Sequence, residues 1–300
     1  MLDRHYVEVL NELLNHPTTA LRPSRAGAAV STFQRKIVYE GAGFLLSKEV
    51  HAPSVFTELC WFLQGGTNVR WLQERGCRIW NEWADVDGNL GPIYGAQLRG
   101  KSKGSIDQFA VLLEGLCRDP YGRRHILTTW NPAELKDMRL PPCHGLVVQF
   151  YVRDVREGGV RVGRSLEMAV YQRSADWFLG VPFNLASYAT LLNLITYIVG
   201  KIDDDLADLE PGKIHYTFGD VHLYAQHTSA ALTHSRQAGK LEEMLKREDL
   251  AAPSVQIRAD LLGGFRTLEG ALQRLDEVEP DVFVLENYHP MPKIPAKVNV

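Results

Sequence analysis

Cys143, in the segment Pro141-Pro-Cys-His-Gly145, is the residue with the strongest local signal for chemistry. The two prolines before it fix the backbone and remove two amide donors, and the apolar residues that follow place it at a strand edge. A free thiol has a pKa of about 8.5, so this sulfur needs a cationic neighbour to act as a nucleophile. Its adjacency to His144 does not predict a Cys–His dyad, because neighbouring strand side chains point to opposite faces. Taken alone, the segment favours a buried structural cysteine.

Polar side chains crowd three further segments. Arg123 and Arg124 stand together at a turn, where their guanidinium groups suit a phosphate or a partner chain, although a solvated charge pair is the commoner explanation. Segment 171–184 lies between a predicted strand and an apolar helix. Capping of that helix by Asn184 explains one of the polar residues of the segment, but not the others. The polar residues are Gln172, Arg173, Ser174, Asp176 and Asn184. In the third segment, His222 and Tyr224 supply groups that bind hydroxyls.

The surrounding periodicity predicts an α+β fold without a regular βαβ rhythm. Helices are predicted over 5–15, 53–64, 67–74, from a cap at Ser105 to 118, over 185–199 and from Val221. Strands are predicted over 29–38, 125–130, 146–152, 166–171 and 214–218. The glycine-rich stretch 85–104 is predicted to be a loop. No repeat or low-complexity linker divides the sequence, so residues 1–300 are predicted to form a single domain.

Composition argues against several classes of protein. Of the 300 residues, 45% are hydrophobic and 23% are charged, as is typical of a soluble globular protein. The formal net charge of −3 predicts no general affinity for nucleic acid. The four cysteines form no CxxC pair, which predicts a reducing compartment and no metal site. The N-terminus lacks a signal-peptide pattern and the apolar stretch 185–199 is too short to span a bilayer, so a cytoplasmic protein is predicted.

Together, these segments resemble the thymidylate synthase family in residue identity and order. The resemblance is carried by Pro142-Cys-His144, Gln172-Arg-Ser-Ala-Asp176, Leu179-Gly-Val-Pro-Phe-Asn-Leu-Ala-Ser-Tyr188 and Gly219-Asp-Val-His-Leu-Tyr224. It extends to Glu58-Leu-Cys-Trp-Phe-Leu-Gln-Gly65, Ile79-Trp-Asn-Glu-Trp-Ala-Asp85, Leu90-Gly-Pro-Ile-Tyr-Gly95 and Arg123-Arg124. It covers nearly the whole chain, and a string of long motifs in family order is highly specific.

The resemblance implies a thymidylate synthase-like α+β fold, with a large twisted mixed β-sheet flanked by helices and a homodimer packed sheet to sheet. It implies metal-free transfer of a one-carbon unit from 5,10-methylenetetrahydrofolate to carbon 5 of a pyrimidine nucleotide. Cys143 would add to ring carbon 6, with Arg173 beside the sulfur to supply positive charge. Glu58 would relay the proton lost from carbon 5, with Tyr94 and His144 in the surrounding hydrogen-bond network.

The resemblance also assigns the nucleotide contacts. Asn184 would read the pyrimidine edge, since an amide can both accept and donate as uracil requires, whereas an aspartate there would favour cytosine. Arg123 and Arg124 would reach the phosphate of the other subunit. The remaining phosphate and sugar contacts would be Arg25, Gln172, Arg173, Ser174, His222 and Tyr224. The phosphate loop departs from the family pattern, so Arg22 remains an alternative to Arg25.

The folate pocket is implied in the same way. Its aromatic side chains would stack on the rings of the cosubstrate. The lining residues would be Ile79, Trp80, Trp83, Asp176, Gly180 and Phe183. Asp176 would also take part in catalysis. Lys48 would pair with the folate glutamate, although Glu49 stands where a further basic residue is expected.

Several departures from the family pattern bear on the product. Asn81 and Leu98 stand where Asp and Trp are common, and the C-terminal tail, which closes over the site in the family, is slightly longer. A tight lid lets hydride from tetrahydrofolate complete a methyl group, whereas admitted water leaves a hydroxymethyl group. The resemblance implies that Trp80 guards the intermediate, which favours methylation of dUMP to dTMP. Hydroxymethylation of dUMP, dCMP or CMP is the alternative.

Two other classes of function fit less well. A cysteine hydrolase would need a histidine and an acid converging on Cys143, and it leaves Asn184 and the arginines unexplained. A regulatory relative without catalysis is the harder class to exclude. The presence of Cys143, Glu58, Arg173 and Asn184 together argues against it. The residues leave open whether the sugar is ribose or deoxyribose.

Overall fold

A computed structural model describes residues 2–15, 21–24, 26–245 and 251–297. The predicted α+β class and the mixed sheet are confirmed. Arg25, one of the predicted phosphate contacts, lies outside the described residues.

The helices of the described residues are α1 (Leu2–Leu14), α2 (Ala52–Leu63), α3 (Arg70–Glu74), α4 (Tyr94–Leu98), α5 (Gln108–Arg118), α6 (Gly180–Ile202), α7 (Thr228–Leu245), α8 (Ala259–Leu262) and α9 (Leu268–Asp276). The strands are β1 (Ala29–Tyr39), β2 (Ile126–Leu127), β3 (Val147–Glu157), β4 (Val160–Asp176), β5 (Leu209–Tyr224), β6 (Ser254–Ile257) and β7 (Phe283–Glu286).

The central sheet has the strand order β1-β5-β4-β3-β2. β4 and β5 run parallel and are connected through α6, while the other neighbours run antiparallel. The parallel register places Ser174 opposite Asp220 and Asp176 opposite His222. Two polar segments that lie far apart in the sequence therefore meet at the C-terminal ends of two adjacent strands. β6 and β7 form a separate antiparallel pair.

Helix α6 lies in the core and is longer at both ends than the predicted range 185–199. Pro182 lies in its first turn, where a missing amide leaves no hydrogen bond unmade. By length and composition alone α6 could cross a membrane, and no other helix in the described ranges meets that test. However, 72% of its most apolar stretch is buried inside the protein, which is the arrangement of a core helix.

The helix predicted from Val221 is wrong, because β5 continues to Tyr224 and α7 begins only at Thr228. Val221 and Leu223 are buried and pair with β1, so tertiary packing keeps the segment extended. As a result, His222 is presented from a strand end.

Two local predictions around α4 and α5 are also corrected. The stretch predicted as a loop contains α4, which begins at Tyr94, the residue predicted to lie near the sulfur. The cap of α5 is Asp107 and not Ser105, because the Asp107 carboxylate accepts hydrogen bonds from two amides of the first turn. The strand predicted over 125–130 is only two residues long.

Candidate active site

Most of the predicted site residues are brought together near the C-terminal ends of β4 and β5. The segment around Cys143 joins this region through its main chain, because the Cys143 carbonyl accepts from the amide of Arg173 at 2.9 Å and from that of Ser174 at 3.4 Å. Helix α4 contributes Tyr94, and α6 contributes Asn184. Five separate segments of the chain therefore position one cluster of polar groups.

Tyr94 holds Cys143 at two points. Its hydroxyl oxygen accepts from the Cys143 amide at 2.8 Å and lies 3.3 Å from the sulfur. Burial raises the pKa of the Tyr94 hydroxyl well above 10, so the group stays protonated and can donate toward the sulfur. The position of the thiol is thus fixed relative to α4 as well as to β4.

Burial raises the pKa of the Cys143 thiol, and this is the largest effect on it. The hydrogen bond from Tyr94 and the positive charge of Arg173 both act in the opposite direction without overcoming burial. The guanidinium of Arg173 donates to the main-chain carbonyls of Pro142 at 2.9 Å and Pro141 at 3.1 Å. Arg173 therefore braces the turn that carries the sulfur, in addition to supplying charge.

Glu58 is buried in the middle of α2 and accepts from the indole nitrogen of Trp80 at 2.7 Å. Burial raises its pKa to about 7, while the hydrogen bond from Trp80 acts to lower it. The carboxyl group can therefore gain or lose a proton near neutral pH, which general acid–base chemistry requires. Trp80 in turn packs edge-to-face on Trp83 and Tyr94.

His144 is neutral, because burial lowers its pKa to about 3. Its Nδ1 lies 2.9 Å from the hydroxyl of Tyr188, and its ring lies 4.6 Å from that of Tyr94. The hydrogen bonds of the described residues give Cys143 a tyrosine partner, not a histidine one. The arrangement does not form a Cys–His dyad.

The amides of Gln172 and Asn184 form a chain at the base of the site. The Gln172 nitrogen donates to the main-chain carbonyl of Ser174 at 2.9 Å, and its oxygen accepts from Asn184 at 3.2 Å. The same oxygen accepts from the buried hydroxyl of Tyr216 at 2.7 Å. Tyr216 and Tyr188 were not predicted from the sequence. The alternation along β5 marks Tyr216 as buried, but no local pattern reveals its partner.

The predicted sugar-binding residues lie at the end of β5. His222 Nδ1 is 2.8 Å from an Asp220 carboxylate oxygen, and the rings of His222 and Tyr224 are 5.0 Å apart. By contrast, Arg123 and Arg124 are exposed on the turn before β2, outside this cluster. Arg22 is also exposed.

The predicted folate residues fall into two groups. Ile79, Trp80 and Trp83 belong to one apolar cluster with Tyr94. The others surround the turn between β4 and α6, where the Asp176 carboxylate accepts from two main-chain amides and Gly180 and Phe183 are half-buried.

Lys48 is buried in this structure. Its ammonium group donates to the Phe178 carbonyl at 2.6 Å, and burial lowers its pKa to about 7. Its pairing with a folate carboxylate stays a prediction, and it requires the ammonium group to leave this carbonyl.

A cavity of about 580 Å³ lies apart from these residues, between α7 and residues 293–297. Within the described ranges, no cluster of three or more His, Cys, Asp or Glu side chains has the geometry to hold a metal ion.

A family model described as thymidylate synthase matches residues 4–300, which include every residue assigned to the site from its resemblance. The resemblance drawn from the sequence is therefore confirmed.

We expect Glu58→Gln to change the pH dependence of stability. Because the folded pKa of Glu58 is raised from 4.5 to about 7, the unmodified chain loses stability as pH rises through this interval. Glutamine does not ionise, so the free energy of unfolding of the variant relative to the parent should rise by up to about 3 kcal/mol between pH 4.5 and 8. Urea unfolding at several pH values measures this. A difference that does not vary with pH, or that also arises in the exposed control Glu82→Gln, would contradict the assignment.

Tyr94→Phe tests the contact at the sulfur. Loss of the hydroxyl removes a group that lowers the pKa of Cys143, so the thiol should ionise at higher pH. The midpoint of the alkylation rate of Cys143 against pH, followed with iodoacetamide and mass spectrometry, should rise by roughly half a unit to one unit. Tyr39→Phe is the matched control, because the buried Tyr39 hydroxyl donates instead to the Leu185 carbonyl at 2.7 Å. An unchanged midpoint in Tyr94→Phe would contradict this role.

Proposed function

The chain belongs to the thymidylate synthase family, and from this premise we propose that it methylates dUMP to dTMP through a covalent adduct on Cys143. Enzymes of this family transfer a one-carbon unit to carbon 5 of a pyrimidine nucleotide, with methylenetetrahydrofolate as the cosubstrate. We further propose that residues 1–300 form one catalytic domain and that the enzyme acts in the cytoplasm. The observation that carries the proposal is the placement of Cys143 against Tyr94 and Arg173.

In the proposed mechanism, the Cys143 thiolate adds to ring carbon 6, and the electron pair moves to carbon 5. That carbon then bonds to the methylene carbon of the cosubstrate as one of the two carbon–nitrogen bonds of that methylene group breaks and its electron pair stays on the nitrogen. Carbon 5 next loses its proton toward water held by Glu58, whose pKa of about 7 suits it to this exchange. Elimination of tetrahydrofolate leaves an exocyclic methylene group on carbon 5. Hydride from tetrahydrofolate converts this group to methyl, and the departing Cys143 sulfur regains its electron pair.

Formation of the thiolate needs positive charge beside the sulfur, which Arg173 supplies. Burial keeps the thiol protonated in the unliganded chain, so ionisation needs added stabilisation of the negative charge. Arg173 and Ser174 adjoin Cys143 through its carbonyl, and we propose that they hold the nucleotide phosphate with Arg25. This placement sets the ring close to the sulfur.

Base selection is assigned to Asn184. Its amide nitrogen is already engaged by Gln172, which leaves the amide oxygen directed elsewhere for a ring N–H, as uracil provides. We propose that Gln172 contributes to the nucleotide site through this contact. His222 and Tyr224 would bind the sugar.

The folate is proposed to lie against the aromatic cluster of Ile79, Trp80 and Trp83 and the turn formed by Asp176, Gly180 and Phe183. The indole of Trp80 is fixed by Glu58, which supports its role in excluding water from the methylene intermediate. This favours methylation. Hydroxymethylation of dUMP, dCMP or CMP is the alternative product class.

We propose a homodimer formed through the outer face of the central sheet. Val147, Tyr151 and Val155 recur at intervals of four along β3, so they share a face, and all three are exposed. Ile126 of β2 is also exposed and pairs with Gln149 of β3. Gln149 lies two residues from both Val147 and Tyr151, so Ile126 lies on the same face as they do. An apolar sheet face of this kind is typical of an interface.

Trapping with 5-fluoro-dUMP and methylenetetrahydrofolate tests the covalent mechanism. The purified chain should gain the mass of both ligands in a complex that survives denaturation, and Cys143→Ala should not. Cys117→Ala serves as the control, because this cysteine on α5 plays no part in the mechanism and should retain the adduct. An adduct on Cys143→Ala, or none on the parent chain, would overturn the proposal.

A separate assay with dUMP identifies the product. Methylation should raise the absorbance of dihydrofolate, whereas a hydroxymethylated product without dihydrofolate would identify the alternative.

A mixing experiment tests whether Arg123 and Arg124 act across the dimer. Cys143→Ala and the double variant Arg123→Ala/Arg124→Ala should each be nearly inactive. After the two are unfolded together and refolded, random pairing should restore about a quarter of the parent activity, since half of the dimers would contain one complete site. Arginines acting within their own subunit would give no recovery, and that result would refute the shared site.

A further inference from the structure

The contact between Lys48 and the Phe178 carbonyl joins two distant parts of the chain. Lys48 is buried, with only 5% of the residue exposed. Its Nζ lies 2.6 Å from the carbonyl oxygen and 4.0 Å from the centre of the Phe178 ring. Because a buried ammonium group needs a hydrogen-bond partner, this contact fixes the Phe178 carbonyl relative to the segment that carries Lys48.

The carbonyl belongs to the turn that leads from β4 into α6. On the other side of this turn, the amides of Phe178 and Leu179 both donate to the Asp176 carboxylate at 3.1 Å. Helix α6 begins directly afterwards, at Gly180. The turn is therefore held by Asp176 through its amides and by Lys48 through a carbonyl.

The segment 46–49 that carries Lys48 is fixed in turn by α1 and α7. The buried carboxylate of Asp3 accepts from the amide of Ser47 at 2.7 Å and from that of Leu46 at 3.1 Å. The Ser47 hydroxyl lies 2.8 Å from the imidazole of His234 on α7. Burial, and secondarily the charge of Lys48, lower the pKa of His234 to about 3, so this imidazole is neutral.

The same segment also anchors the C-terminal part of the chain. The Met291 amide donates to the Leu46 carbonyl at 2.7 Å, and the Glu49 amide donates to the Met291 carbonyl at 3.0 Å. Gln237 adds a further link, because its side-chain nitrogen donates to the carbonyls of Ser47 at 3.1 Å and Pro292 at 3.0 Å. Lys48 thus lies between the two main-chain contacts of the C-terminal segment, two residues after Leu46 and one residue before Glu49.

We propose that Lys48 is a positioning residue that couples the C-terminal segment around Met291 to the turn that carries Asp176. The activity readout of this inference rests on the proposed function, while the coupling itself does not. The role differs from direct pairing with a folate carboxylate, because the ammonium group is directed to the protein's own backbone. Glu49, which follows Lys48, adds negative charge that would repel a carboxylate.

A cosubstrate without its glutamate separates the two roles. For Lys48→Met, kcat/KM for the cosubstrate should fall about tenfold with both 5,10-methylenetetrahydrofolate and 5,10-methylenetetrahydropteroate, since the turn is loosened in either case. A direct ionic contact would instead give a loss with the glutamate-bearing compound alone, and that result would overturn the inference. Lys201→Met, at the exposed end of α6, is the matched control and should change neither value.

Hydrogen exchange tests the coupling without any substrate. In Lys48→Met, amide exchange should accelerate in peptides that cover 176–183 and also in those that cover 288–294. In Gln237→Leu, which weakens the anchoring of the C-terminal segment and leaves Lys48 in place, exchange should accelerate over 288–294 and, through Lys48, also over 176–183. Unchanged exchange over 176–183 in Lys48→Met would refute the coupling. If the parent chain were inactive with dUMP, the proposed function would fail while this measurement would still decide the coupling.

Discussion

The hydroxyl of Tyr94 fixes the sulfur of Cys143 and the main-chain amide of the same residue, and the rest of the site is arranged around this pair of contacts. Residues 141–145, before β3, belong to no helix or strand, and two of them are prolines, which lack an amide donor. Their position therefore depends on groups from outside. Tyr94 supplies them on the side of α4, and Arg173 supplies them on the side of β4.

Burial favours the neutral form of three groups near the sulfur, which are Cys143, Glu58 and His144. It raises the pKa of Cys143, raises that of Glu58 to about 7 and lowers that of His144 to about 3. Within an unliganded chain, the site therefore holds a thiol, a carboxyl group ready to exchange a proton, and an uncharged imidazole. Positive charge beside the sulfur shifts this balance toward the thiolate, and Arg173 already acts against burial at Cys143.

The spacing of apolar residues in the sequence was enough to predict most of the helices and strands. The predictions were wrong or incomplete where contacts between distant parts of the chain determine the structure. The helix predicted from Val221 is instead part of β5, because Val221 and Leu223 pair with β1. The motif match identified Cys143 and Glu58, because their neighbouring residues are distinctive. It could not show that Lys48 is buried, since its partner Phe178 lies 130 residues away. Tyr216 was missed for the same reason, because its partner lies on another strand.

The orientation of the Asn184 amide is set by the main-chain carbonyl of Ser174, to which it is linked through the side chain of Gln172. A carbonyl can only accept, so the Gln172 end that faces Ser174 must be nitrogen, and the end that faces Asn184 must be oxygen. The Asn184 atom opposite this oxygen must then be nitrogen, which directs its own oxygen elsewhere. A free amide could turn over and present either end to a base with little difference in energy. Here the main chain of β4 fixes one orientation through Gln172, so the strand itself determines which end of the Asn184 amide faces away from Gln172.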